Sequence, residues 1–120
     1  MIINSSVVGL TSDAGISGYA TAKHAQVGLM RTAAKEAAGR GIRVNSSTRG
    51  RPDTEFQRDI EVTATGAPPD VAARIFDARI PLARHACADE IARSVLYLAC
   101  ADELVRDRRH PLPVDGGMHI

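Results

Sequence analysis

YATAKHAQVGLMRTAAKEAAGRGIRVN, Tyr19 to Asn45, carries two patterns in succession. From Tyr19 to about Ala38 the period is helical. Ala22, Ala25, Leu29, Ala33 and Ala37 recur every three or four residues, and Met30 and Ala34 widen the stripe. Gly39 and Gly41 follow, where helices commonly end. Gly41-Ile42-Arg43-Val44-Asn45 then reads as a strand. Upstream, Ile2-Ile3-Asn4-Ser5-Ser6 is a short apolar run passing into polar residues, a first strand. Val7 to Gly18 is a loop rich in Gly, Ser and Asp. Strand, loop, helix and strand together make the repeating unit of a parallel α/β sheet.

Downstream the signal is weaker. Residues 46–67 are polar, with Gly50, Pro52, Gly66 and Pro68 as breakers and a short helical turn over Glu55 to Val62. Val71, Ile75 and Ala78 suggest a short helix after Pro69. Asp89 to Cys100 is firmer: Ile91, Val95, Leu98 and Ala99 share one stripe, and Asp89 and Glu90 stand near the positive end of the helix dipole. Leu112 to Val114 is a last strand, followed by Asp115-Gly116-Gly117. Pro111 and Pro113 confine it to a sheet edge or a strand start. The expected order is β-α-β-α-α-β, in one domain over residues 1–120.

Composition bounds what such a domain can be. A chain of 120 residues makes one domain. Its apolar fraction of 44% is ordinary, but alanine dominates it and tryptophan is absent, so the expected core is thin. Fifteen basic residues against fourteen acidic give a net charge of +1, with no general pull toward nucleic acid or anionic membrane. Arg106, Arg108, Arg109 and His110 form one basic cluster, read as solvated surface. Cys87 and Cys100 make no disulfide framework, and the four histidines have no metal-ligand spacing. Neither a membrane-length apolar run nor a signal peptide is present, and the expectation is a cytoplasmic protein.

Chemistry concentrates around Tyr19 and Lys23. A spacing of four puts phenol and ammonium on one helix face, a turn apart. A phenol exchanges protons poorly near neutral pH, and a neighbouring cation favours its ionised form. Such a pair can serve as a general acid and base. The motif alone is common on exposed helices, so its neighbours decide its meaning.

Ser6 ends a strand thirteen residues before Tyr19, Lys23 follows at four, and Gly41-Ile42-Arg43-Val44-Asn45 follows the helix. Further along come Ile80-Pro81-Leu82 with Arg84, Asp89-Glu90-Ile91-Ala92, and Val114-Asp115-Gly116-Gly117. In this order the motifs resemble the carboxy-terminal half of the short-chain dehydrogenase/reductase family across practically the whole chain. The resemblance implies part of a Rossmann-like, doubly wound parallel sheet. It implies hydride transfer between NAD or NADP and an alcohol, ketone or aldehyde. By that analogy Ser6 hydrogen-bonds the substrate oxygen, Tyr19 passes the proton, and Lys23 binds the nicotinamide ribose and favours the tyrosine's ionised form. Thr54 falls where the family has a cofactor-binding threonine, although it also suits the cap of a helix starting at Glu55. The three catalytic groups are expected to converge at the carboxyl ends of the strands.

The chain also departs from the family. Nothing in it resembles the Gly-rich turn that receives the pyrophosphate, so a partial, truncated domain is expected. The family's N-A-x-x-P-G appears as Asn45-Ser46-Ser47-Thr48-Arg49-Gly50, with Arg49 at the proline. Pro52, without an N–H, replaces the residue whose backbone clamps the carboxamide. Arg108-Arg109 replaces a Thr-Gly pair. The expectation is that the isolated chain binds the dinucleotide weakly and does not turn over. The competing reading is a non-catalytic module that associates through helices and an exposed sheet edge beside Ile2, Ile3 and Val44, as a homo-oligomer or with a partner. A chain unable to fold stably alone is a third reading, and a Ser-Lys hydrolase a distant fourth.

Overall fold

The computed structural model describes residues 1–100 and 111–119. Three parallel strands, β1 (Ile2–Ser6), β2 (Asn45–Arg49) and β3 (Pro111–Val114), lie side by side in that order. Ile2 pairs with Asn45 and Ser6 with Arg49, while Ser46 pairs with Pro111. Parallel neighbours require crossovers. The first is α1 (Ser17–Ala37), and the second contains α2 (Glu55–Thr65), α3 (Pro69–Asp77) and α4 (Ala88–Cys100). One helix more than expected stands between β2 and β3, because the turn foreseen at Glu55 grows to eleven residues. Thr54 caps it by accepting the Gln57 N–H at 3.3 Å.

The second strand begins later than its apolar residues suggest. Gly41 takes the left-handed conformation (φ 70°), its N–H bonds Ala38 O, and the Ile42 N–H bonds Ala37 O at 3.3 Å. Residues 41 and 42 are thus spent closing the end of α1. Pairing with β1 starts where the Asn45 N–H reaches Met1 O at 3.0 Å. The strand is therefore Asn-Ser-Ser-Thr-Arg, four of its five residues within the stretch read as polar. Being central, it is bonded on both sides and covered on both faces, and Ser46, Ser47 and Thr48 are fully buried. The hydroxyls of Ser46 and Thr48 have no hydrogen-bond partner. Small size, which lets helices approach closely, is what these residues contribute.

Helices cover both faces. On one side Val27, Met30, Ala34 and Ala37 of α1 pack with Val44, and Ile3, Leu10 and Ala33 fill in around them. Burying each larger side chain contributes roughly 1.5–3 kcal/mol. Only part of the expected stripe faces this core, since Ala22, Ala25 and Leu29 are exposed and Val27 is buried instead. On the other side Ser94 of α4 meets Ser47, their hydroxyl oxygens 3.5 Å apart. Arg43 ties the two layers by donating to Leu98 O at 3.1 Å and Ala99 O at 2.9 Å, satisfying the open carboxyl end of α4.

Val44, expected beside an exposed apolar edge, is 1% exposed. Most of the exposed large apolar side chains lie on helices, among them Leu29, Phe56, Leu96 and Tyr97, while Met1 and Ile42 are exposed outside them. Pro111 opens β3, which pairs only with β2 among the described residues, a position a proline tolerates. The basic cluster at Arg106 to His110 and the Arg108-Arg109 replacement lie outside the described residues.

Candidate active site

β1 ends at Ser6, and α1 runs back along the sheet from Ser17. Its first turn therefore stands at the carboxyl ends of the strands, where α/β sheets place ligands. A contact absent from the sequence reading fixes that alignment. Ser5, fully buried, donates its hydroxyl to Lys23 O at 3.1 Å. Gly9 makes the approach possible: a Cβ there would sit 2.8 Å from Lys23 O and 2.8 Å from Ser5 Oγ.

With α1 so placed, Tyr19 and Lys23 meet. The Lys23 ammonium lies 5.5 Å from the centre of the Tyr19 ring and donates to Gln26 Oε1 at 3.1 Å. An ammonium has three N–H groups, so others remain for a ligand. Tyr19 is 44% exposed. Ser6 is buried, and its oxygen accepts the Val8 N–H at 3.3 Å, leaving its own hydrogen to donate. Among the described residues no hydrogen bond joins Ser6 to Tyr19 or Lys23. Alternation along β1 turns Ser5 toward α1, and Ser6, the last residue of the strand, stands at the carboxyl end of the sheet.

Thr54 stands at the amino end of α2, beside a cavity of about 250 Å³. Asn4, Arg49, Pro52, Gln57, Phe56 and Ile91 also line that cavity. Pro52 is held in a short parallel bridge to Ala86: the Asp53 N–H donates to Ala86 O at 2.7 Å and the Ala86 N–H to Arg51 O at 3.1 Å.

Behind the cavity a buried polar cluster joins α2, α3 and the segment before α4. Each ring nitrogen of His85 is 2.7 Å from a carboxylate oxygen, Nε2 from Glu61 and Nδ1 from Asp77. Gln57 also donates to Glu61, at 2.8 Å, and Glu61 is 1% exposed. Nearby, burial pushes the Arg51 guanidinium below its ordinary value, while Glu61 and then Asp13 oppose the shift. Arg51 and Arg79 also lie over the Phe76 ring, at 4.4 and 5.0 Å. Glu61, Asp77 and His85 are far apart in sequence, and no local spacing announces them.

Comparison with known proteins agrees with this architecture. A family model described as enoyl-(acyl carrier protein) reductase matches residues 1–119. The chain is 38% identical over 120 residues to a 3-oxoacyl-[acyl-carrier-protein] reductase FabG of Thermotoga maritima. It is 38% identical over 117 residues to the short-chain dehydrogenase/reductase aba4 of Botryotinia fuckeliana. These matches cover 99% and 97% of this chain but only 45% and 44% of the relatives, so the chain spans about half their length. Among solved structures, levodione reductase superposes with a TM-score of 0.90 at 33% identity, over 98% of this chain and 45% of that one. An RhlG complex with NADP from Pseudomonas aeruginosa gives 0.83 at 29% identity, over 99% and 46%. By its motifs, its parallel sheet and these matches along its whole length, the chain belongs to the short-chain dehydrogenase/reductase family.

Proposed function

We propose that these residues carry the proton-handling part of an NAD(P)-dependent oxidoreductase that interconverts an alcohol with a ketone or aldehyde. The observation that supports it most is the Lys23 ammonium 5.5 Å from the Tyr19 ring, one helical turn away, beside the strand end that carries Ser6. When bound, the dinucleotide supplies or accepts the hydride. Tyr19 holds the proton at its phenol oxygen and gives it to the substrate oxygen in the reducing direction. Ser6 donates a hydrogen bond to that same oxygen, and Lys23 favours the phenolate that remains and takes the ribose hydroxyls.

The residues present fit one end of the dinucleotide and not the other. Lys23 has free donors and Thr54 a free hydroxyl hydrogen for the nicotinamide ribose and carboxamide. Pro52 offers no N–H for the carboxamide, and these 120 residues contain no Gly-rich strand-turn-helix for the pyrophosphate. A charge-assisted hydrogen bond contributes about 1.5–3 kcal/mol, and about 1.4 kcal/mol is tenfold in affinity. Two or three missing contacts turn micromolar binding into millimolar.

The 120-residue chain titrated with NADH and NADPH is therefore expected to bind at millimolar concentration or weaker, shifting the amide resonances of Tyr19, Lys23 and Thr54. Lys23→Met should abolish those shifts. Shifts that map elsewhere would remove the assignment. In an absorbance assay over a panel of ketones and secondary alcohols no turnover is expected. Turnover abolished by Tyr19→Phe would keep the chemistry and overturn the expected inactivity.

Association of copies is a second reading, favoured by Leu29, 60% exposed and one turn beyond the exposed Ala22 and Ala25 on α1. No helix among the described residues is long and apolar enough to cross a membrane. Cys87 and Cys100, both free and exposed, suit the reducing cytoplasm, where we place the protein.

A further inference from the structure

We propose that Gln26 is a positioning residue for Lys23, one that fixes the ammonium beside Tyr19 ahead of any ligand and does so without neutralising it. This deepens the oxidoreductase reading and rests on it.

Side chains on a helix lean toward its amino end, so residues three or four apart overlap. Tyr19, Lys23 and Gln26 stand at such spacings along α1. Gln26 therefore reaches back over Lys23, and Lys23 over Tyr19. The Lys23 ammonium accordingly lies 3.1 Å from Gln26 Oε1 and 5.5 Å from the centre of the Tyr19 ring. Lys23 and Gln26 are both half-buried, which limits the water that competes for that oxygen.

A lysine left to itself samples many rotamers, and a ligand that needs its ammonium must bring them to one. The Gln26 amide does this beforehand. It takes one of the three N–H groups and leaves two, as many as the two hydroxyls of a ribose can accept. Being neutral, it also leaves the charge of Lys23 unpaired. A carboxylate at the same position would hold the ammonium as an ion pair and divert that charge from the phenol and the ligand. Arg58, Arg74 and Arg84 have such carboxylate partners, and among the described residues Lys23 has none. Ordering one long side chain in advance should strengthen dinucleotide binding about two- to tenfold.

The test compares the unaltered 120-residue chain with Gln26→Met and Gln26→Glu by NMR, first alone and then titrated with NADPH. In the unaltered chain the Tyr19 ring current should shift the Lys23 ε-methylene protons upfield. Gln26→Met is of similar length but has no acceptor. It should move those protons toward the position of a freely rotating lysine and weaken NADPH about two- to tenfold. Gln26→Glu restores the acceptor, so the upfield shift should return while NADPH stays weaker than with the unaltered chain. A purely structural role for Gln26 would move the urea midpoint and not this pattern. The proposal is overturned by no upfield shift in the unaltered chain, or by an unchanged shift or NADPH affinity in Gln26→Met. It is equally overturned if Gln26→Glu fails to recover the shift, or binds NADPH as tightly as the unaltered chain. The measurement on the unaltered chain stands even if the variants fold poorly. A Gln26-dependent upfield shift, with NADPH-induced changes that miss Tyr19 and Lys23, sinks the oxidoreductase reading alone.

Discussion

Replacing His85 by alanine removes the middle member of the buried cluster that joins α2, α3 and the approach to α4. Two contacts of 2.7 Å are lost, and they are unequal. The Glu61 side chain is 2% exposed, so truncation leaves a buried carboxylate with only the Gln57 amide as side-chain donor. Removing the partner of a buried carboxylate leaves that group short of compensation, which costs about 3–5 kcal/mol. The Asp77 side chain is 29% exposed, and screening limits its share to about 1 kcal/mol or less. The expected loss is therefore about 3–5 kcal/mol, a large part of the roughly 5–15 kcal/mol that stabilises a domain. In urea, with a slope of about 2 kcal/mol per molar, the midpoint should fall by about 2 M. Replacing both partners together, in Glu61→Met with His85→Leu, removes the buried carboxylate itself and should restore part of the loss. Urea unfolding followed by circular dichroism gives all three values. A loss under about 1 kcal/mol for His85→Ala, or a double variant no better than the single, would refute the reasoning.

Gly9→Ala forces a Cβ to within 2.8 Å of a helix carbonyl oxygen that cannot swing away. It should destabilise by about 1–3 kcal/mol and shift the amide resonances of Lys23. Gly28→Ala, with nothing within 4 Å, should instead stabilise by up to about 1 kcal/mol, and equal effects of the two in urea would contradict the close approach. The Glu90 carboxyl is held down from 4.5 to about 2, first by the Arg84 guanidinium and then by the Cys87 N–H. Its folded value lies below its unfolded one, so its contribution is fully present above about 4.5 and is lost as the pH falls toward 2. Carbon-detected titration of the Glu90 carboxyl checks this, and a midpoint near 4.5 would exclude the clamp by Arg84.

Whatever local spacing governs could be read from the residues in order. A period of three to four residues followed by glycines fixed α1 and its end, because backbone geometry repeats at 3.6 residues wherever the helix packs. The same period put Tyr19 and Lys23 on one face. Prolines around Leu112 confined the last strand to an edge or a strand start through a missing N–H. Tertiary structure alone decided the rest. Asn45 to Arg49 is a strand because it lies between two others, and burial on both faces there demanded small side chains whatever their polarity. Which residues of α1 meet the core depended on the angle at which it crosses the sheet, so Val27 turned inward while Ala22, Ala25 and Leu29 stayed outside. Ser5 and not Ser6 grips Lys23 because a strand turns alternate side chains to opposite faces, a choice visible only once the helix has chosen its face. Glu61, His85 and Asp77 share a cluster because α2 folds back on α3. Contacts spanning up to 24 residues depend on where the chain turns in space, and sequence spacing carries no trace of that.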